Sequence, residues 1–183
     1  MDDPYEGRKN YIKDTSVYIF SEFNEKISDL LPDFYSLILK VKDLKDPSIE
    51  IIINSPGGYS SELFGLLSYI DLAKSLGIKI ITRVIGEAYS CGSYLAVVGD
   101  ERCMSKYAFQ LMHYGTGASS PVHNAVEIDR LTDYNKKHFE NLVDIYAKHT
   151  KLDKRKIRAL MRDNLLYLDA ETCLKYGFCD YIF

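Results

Sequence analysis

No stretch of the 183-residue sequence is apolar for the length of a membrane span, and the acidic start Met1-Asp2-Asp3-Pro4-Tyr5 leads into no apolar segment of the signal-peptide kind. A chain that works in the cytoplasm, off the membrane, is expected. Excess positive charge is missing as well. The 23 basic and 26 acidic residues are interspersed, the net charge is −3, and no basic stripe offers itself to a phosphate backbone, which disfavours nucleic acid as a partner. The four cysteines, Cys91, Cys103, Cys173 and Cys179, contain no C-x-x-C pair, so buried free thiols are expected rather than a disulfide framework. His113, His123, His138 and His149 form no H-E-x-x-H and no ligand cluster with those cysteines, so neither a metal site nor a cofactor is expected. Internal repeats and low-complexity segments are absent too.

What is present is a hydrophobic fraction of 46%, enough for one core, and a single domain over 1–183 is expected with a polar, irregular segment at 1–15. Ser16 to Phe20 reads as a first strand. Apolar residues at helical spacing from Ile27 to Val41 predict a helix whose first turn Pro32 delays or bends. Ile49 to Ile53 is a β-branched run stopped by Asn54-Ser55-Pro56-Gly57-Gly58; a helix over Leu63 to Ala73 follows, ends at Gly77, and gives way to a strand over Ile78 to Ile85. Strand, helix and strand in so short a stretch predict a right-handed crossover in a parallel sheet.

The second strand runs into Gly86-Glu87-Ala88-Tyr89-Ser90-Cys91-Gly92-Ser93, whose small residues predict a sharp turn into a helix over Tyr94 to Val98. Tyr107 to His113 reads as a strand with His113 at its end, followed by a loop over Gly115 to Pro121. A long helix from about His123 to His149, a short one from Asp153 to Met161, and a last one from Ala170 to Tyr176 between Asp169 and Gly177 complete the chain.

Acyl transfer needs a nucleophilic hydroxyl, a base in reach of it, and backbone donors aimed at the developing oxyanion. Ser90 at the strand-to-helix elbow can supply the first and His113 the second. The N–H groups of Gly58 and Cys91 can supply the third, because the glycine loop opens at the same edge of the sheet. Each feature alone is commonplace. An Ala-Tyr-Ser-Cys-Gly elbow suits any close-packed junction, Pro-Gly-Gly any tight turn, and a lone histidine is more often structural. Their common placement at strand ends shifts the balance toward chemistry.

Asn54-Ser55-Pro56-Gly57-Gly58, Gly86 to Gly92 and Met112-His113 resemble, in order and spacing, the successive motifs of the Clp protease proteolytic subunits. The likeness runs from about Val17 to the end, through Ala147-Lys148-His149-Thr150, Ala170-Glu171, Tyr176-Gly177 and Asp180, whereas the segment before Val17 does not resemble the family's N-terminal segment. The resemblance implies an α/β ClpP/crotonase-like fold of repeated ββα units, with a parallel sheet and a long protruding handle helix. It implies a serine endopeptidase that hydrolyses unfolded polypeptides inside an oligomeric chamber, through an acyl-enzyme on Ser90 with His113 as general base. Homo-oligomeric heptameric rings stacked as a tetradecamer are implied, with an AAA+ unfoldase as partner, and ATP would be used by that partner alone.

The family's third triad member is an Asp five residues before the alanine matching Ala170, where this sequence has Leu165. Counting from His149-Thr150 instead gives Asn164, and Asp163 is the nearest carboxylate, so Asp163 is the expected residue with Asn164 as its alternative and Asp169 as a helix cap. Without a carboxylate on His113, a slower enzyme or an inactive structural ring subunit is the rival reading. Others are a crotonase-type acyl-CoA enzyme, a Ser-Lys peptidase using Lys79 or Lys106, and Cys91 as nucleophile through a thiol of lowered pKa.

Overall fold

In β3 (Ser48–Ser55) burial alternates residue by residue, with Ile49, Ile51, Ile53 and Ser55 turned inward, so the run is a strand with one covered and one half-open face. Each of its inward isoleucines is fully buried and contributes about 1.5–3 kcal/mol relative to exposure. The computed structural model describes residues 7–113, 125–162 and 166–183. β2 (Ser16–Ile19), β3, β4 (Lys79–Tyr89) and β5 (Glu101–Met104) lie side by side and parallel, in that order. The crossovers run through α1 (Glu25–Val41), α2 (Ser60–Ser75) and α3 (Cys91–Val97). Every step moves the same way across the sheet, so right-handed crossovers put the three helices on one face. There Phe34, Ile38, Leu63, Leu66 and Leu95 meet the inward strand residues in one core.

Several expectations are corrected. The segment up to residue 15 is not wholly irregular, because β1 (Tyr11–Lys13) pairs antiparallel with β2 and Tyr11 stacks on Tyr18 at 4.4 Å. Pro32 does not delay α1. Asn24 caps the helix at Glu25 by accepting from Lys26 N, and the proline sits inside the helix, at the cost of one backbone donor. β4 does not end at Ile85 but continues through Gly86 to Tyr89, and only Ser90 makes the turn.

That long strand is where the sheet forks. Its first half pairs with β5, which carries β8 (Tyr181–Ile182) beyond it, while Glu87 to Tyr89 pair in parallel with β6 (Phe109–Met112). β6 in turn pairs antiparallel with β7 (Leu166–Asp169). Between the pairs Ile53↔Val84 and Ser55↔Ala88 the register shifts, leaving extra residues in β4. Asn54 fills the irregularity: its Oδ1 accepts from Glu87 N at 3.0 Å, and a Cβ on Gly86 would stand 2.6 Å from that oxygen. Sequence patterning missed β1, β5, β7 and β8, all of four residues or fewer and too short to show a period.

α4 (Ala125–His149) is 25 residues long, on the order of 37 Å. Its residues from Glu127 to Lys137 are mostly exposed in the single chain, and it joins the core through its second half, with Val143 and Tyr146 fully buried and Phe139, Leu142, Ile145 and Ala147 packed beside them, as a protruding handle would. α5 (Lys154–Arg162) precedes β7, and α6 (Ala170–Tyr176) links β7 to β8. Asp169 caps α6 by accepting from Thr172 N at 2.8 Å, and Gly177 ends it with φ 79°. Below the sheet's amino-terminal end, the Arg102 guanidinium donates to Asp180 and to the carbonyls of His149 and Gly177, fastening the carboxyl-terminal segment to β5.

Candidate active site

The carboxyl ends of β3, β4 and β6 converge at one edge, and each carries one of the sequence-predicted features. β4 and β6 are in register at Tyr89↔Leu111, so Ser90 and His113 each follow directly from neighbouring paired strands, whose spacing is about 4.8 Å. Ser90 N donates to Leu111 O at 3.0 Å. Ser90 has φ 52° and ψ −115°, a conformation that L-residues avoid and that costs about 1–3 kcal/mol. The strained turn ends β4 abruptly and starts α3 one residue later, leaving Ser90 half-buried at the rim while every residue of α3 behind it is buried.

The glycine loop is fitted against this elbow. A Cβ on Gly57 would lie 2.6 Å from Tyr89 O, 2.7 Å from Ser90 Cβ and 3.2 Å from Cys91 N, so only glycine permits the approach. Gly58 lies equally close to Phe23, where a Cβ would stand 2.4 Å from the carbonyl oxygen. The strand of backbone around Phe23 holds the loop in place. Phe23 N donates to Gly57 O and Tyr59 N donates to Phe23 O, both at 2.7 Å. On the inner side, Gly57 N donates to Ser55 Oγ at 3.2 Å, and Ser55 Oγ donates to Ser21 O at 2.6 Å. Among the described residues neither the Gly58 N–H nor the Cys91 N–H donates to a backbone carbonyl.

Cys91 does not fit the role of nucleophile. Its thiol donates to Gly58 O at 3.1 Å, and burial pushes its pKa up to about 12, against the opposing pull of the Gly58 backbone and Ser90. It stays protonated near neutral pH. His113 is half-buried, and among the described residues it is this burial that lowers it below its ordinary value of 6.5, which favours a neutral imidazole at pH 7 that is able to accept a proton.

The rival lysines lie elsewhere. Lys79 opens β4, eleven residues before Ser90 and so roughly 35 Å away along an extended strand, and its ammonium pairs with Glu101 at 2.6 Å. Lys106 precedes β6, at the opposite end from His113, with its ammonium over the Tyr107 ring. Asp169 is spent on its cap and lies across from Phe109 rather than beside His113. Asp163, Asn164 and Leu165 lie outside the described residues, as does the loop expected over Gly115 to Pro121. Leu166, the next described residue, pairs with Met112 immediately before His113.

Sequence reasoning missed two residues behind the elbow. Ser93 and Gln110 are fully buried and bonded to each other, Ser93 Oγ donating to Gln110 Oε1 at 2.9 Å. The available signal was a lone glutamine at an inward position between Ala108 and Met112.

Comparison with known proteins agrees with this architecture. The Clp protease family model matches residues 4–183, which includes the segment before Val17 that the motif likeness left out. The ATP-dependent Clp protease proteolytic subunit of Deinococcus radiodurans is 26% identical over 181 residues, covering 97% of this chain and 84% of that relative. With the family match running over nearly the whole length and the mixed, mainly parallel sheet beneath it, the chain belongs to the Clp protease family and is a protease of that kind.

Proposed function

We propose that the chain is a serine endopeptidase in which Ser90 is the nucleophile and His113 the general base, with the N–H groups of Gly58 and Cys91 as the oxyanion hole. The strained Ser90 turn, beside the strand that ends at His113, carries this reading. His113 takes the hydroxyl proton as Ser90 Oγ bonds to the peptide carbonyl carbon, and the carbonyl oxygen becomes an oxyanion facing the two amides. Collapse breaks the C–N bond, and the same proton goes to the leaving amine. Water then repeats the sequence on the acyl-enzyme and frees Ser90.

Asp163 is the residue we assign to orient and stabilise the imidazolium, with Asn164 as the uncharged alternative. Asp163 stands three residues before Leu166, a reach of at most about 11 Å from the residue that pairs beside His113. The reaction needs no metal or cofactor in this subunit. Following the family, we assign stacked heptameric rings, a tetradecamer of identical chains with its sites facing an enclosed chamber, supplied with unfolded polypeptide by an AAA+ unfoldase that consumes the ATP. The exposed length of α4 supports a contact between subunits. Four free thiols suit a reducing compartment such as the cytoplasm.

A fluorophosphonate probe with adduct mapping by mass spectrometry tests the chemistry. An adduct on Ser90 that is lost in His113→Ala is the expected result. Assembled wild-type protein that leaves Ser90 unlabelled would sink the active-peptidase reading and promote the structural ring subunit.

A further inference from the structure

The strained Ser90 peptide is closed into a ring of neutral hydrogen bonds. Ser90 O accepts from Ser93 N at 2.9 Å; Ser93 Oγ donates to Gln110 Oε1 at 2.9 Å; and Leu111, the residue after Gln110, accepts from Ser90 N at 3.0 Å. A fourth group enters from the handle helix, since Tyr146 OH donates to Ser93 Oγ at 2.9 Å. Ser93, Gln110 and Tyr146 are all fully buried, so water cannot replace the side-chain bonds among them. Tyr146 is itself fixed by stacking on Tyr94 at 4.3 Å and by Phe178 at 5.2 Å.

We propose that Ser93 and Gln110 are positioning residues for the nucleophile, and that Tyr146 extends the device to α4, so that the seating of the handle helix sets the geometry of the Ser90 elbow. An unfavourable φ persists only where its surroundings over-determine it, and this ring fixes the Ser90 peptide from both its N–H and its C=O. It also locks α3, which follows the nucleophile, to β6, which leads to His113. Loosening it lets the hydroxyl and the imidazole drift apart by fractions of an ångström without removing either. Small misplacements of this kind cost on the order of ten- to a hundredfold in rate.

The inference rests on Ser90 being the nucleophile, and the test separates the two. The full-length assembled protein is treated with the fluorophosphonate probe over a pH series, and both the rate constant for Ser90 labelling and the final labelled fraction are recorded. Ser93→Ala is expected to lower the rate constant about ten- to a hundredfold, with the final fraction and the pH midpoint unchanged, because His113 is not touched. Tyr146→Phe, which keeps the ring and removes one hydroxyl, is expected to lower it by a smaller factor, and with a peptide substrate to lower kcat at constant KM. A merely structural role would instead reduce the labelled fraction and leave the rate constant of the folded sites alone. That pattern, or wild-type rate constants in both variants, overturns the proposal. Should Ser93→Ala not assemble, Tyr146→Phe decides the matter by the same two readings. No labelling of the wild type at Ser90 removes the nucleophile and this inference together, whereas labelled wild type with unchanged variants removes only the inference.

Discussion

The two ends of the parallel strands are built from different chemistry. At the amino-terminal end charges meet in pairs: Lys79 with Glu101 and Arg83 with Glu50 at 2.6 Å, Lys74 with Asp100 at 2.7 Å, and Arg102 with Asp180 at 2.5 Å. At the carboxyl end, among the described residues, Ser90, Gly57, Gly58, Cys91 and His113 take part in no ion pair. Their geometry comes from steric fit and neutral hydrogen bonds. The difference follows from what each end must do. The exposed pair of Lys79 with Glu101 tolerates side-chain motion and salt and fixes little, while the more buried Arg102 is the one that ties segments together. A site that needs a neutral imidazole and two unoccupied amides is better held by close packing, which has no slack.

The sharpest way to break the comparison is Gly57→Ala. The added Cβ would meet the backbone of Tyr89 at 2.6 Å and the Cβ of Ser90 at 2.7 Å, neither of which can swing aside, and φ of +94° is itself unfavourable for alanine. A loss of about 2 kcal/mol or more in chemical denaturation is expected, together with a fall of roughly a hundredfold in Ser90 labelling. Near-wild-type labelling would mean that the loop and the elbow can separate without consequence.

That contact also marks how far the sequence could be read. The Gly57-Gly58 loop, the Ser90 elbow and the His113 strand end were legible because turn residues and β-branched runs punctuate them locally, and the crossover rule then brings their ends together. The fork in β4 was not legible. Gly86 looks like a turn, and only the Asn54 side chain, which occupies the space a Cβ would need, makes it a continuing strand. The ring behind Ser90 was hidden for a related reason: Ser93, Gln110 and Tyr146 sit on three elements far apart in the chain, and nothing local links them.

A subtler contrast lies between two histidines shifted the same way for different reasons. Among the described residues, burial is what lowers His113. His149, at the charged end, is lowered to about 4 by burial first and then by Lys148, Lys74 and Arg102. Unfolded His149 binds its proton near 6.5 and the folded residue only near 4, so between those values the unfolded chain holds more protons and acidification favours it. Unfolding followed by denaturant from pH 7 to pH 4 is expected to show stability falling with pH, and His149→Asn is expected to flatten that slope. Raising the salt from about 50 to 500 mM should move the His149 NMR titration upward, because its neighbouring cations are screened, and should not move His113 upward, because no cation shifts it among the described residues and the proposed Asp163 carboxylate would act in the opposite sense. Equal salt shifts for both would erase the distinction.

The smallest effect is expected from Lys79→Met. The ammonium and its Glu101 partner are both at the surface, and although each raises or lowers the other's pKa in the favourable sense, that mutual shift is made through solvent. No resolvable change in the unfolding midpoint is expected at low or high salt. Ser90 labelling should be unaltered as well, since Lys79 opens the strand that Ser90 closes. A lysine essential to labelling would restore the Ser-Lys mechanism, and it would require β4 to be something other than the extended strand that separates the two residues. A marked loss of stability alone would show that the charged end is held as tightly as the site, and the contrast between the two ends would have to be given up.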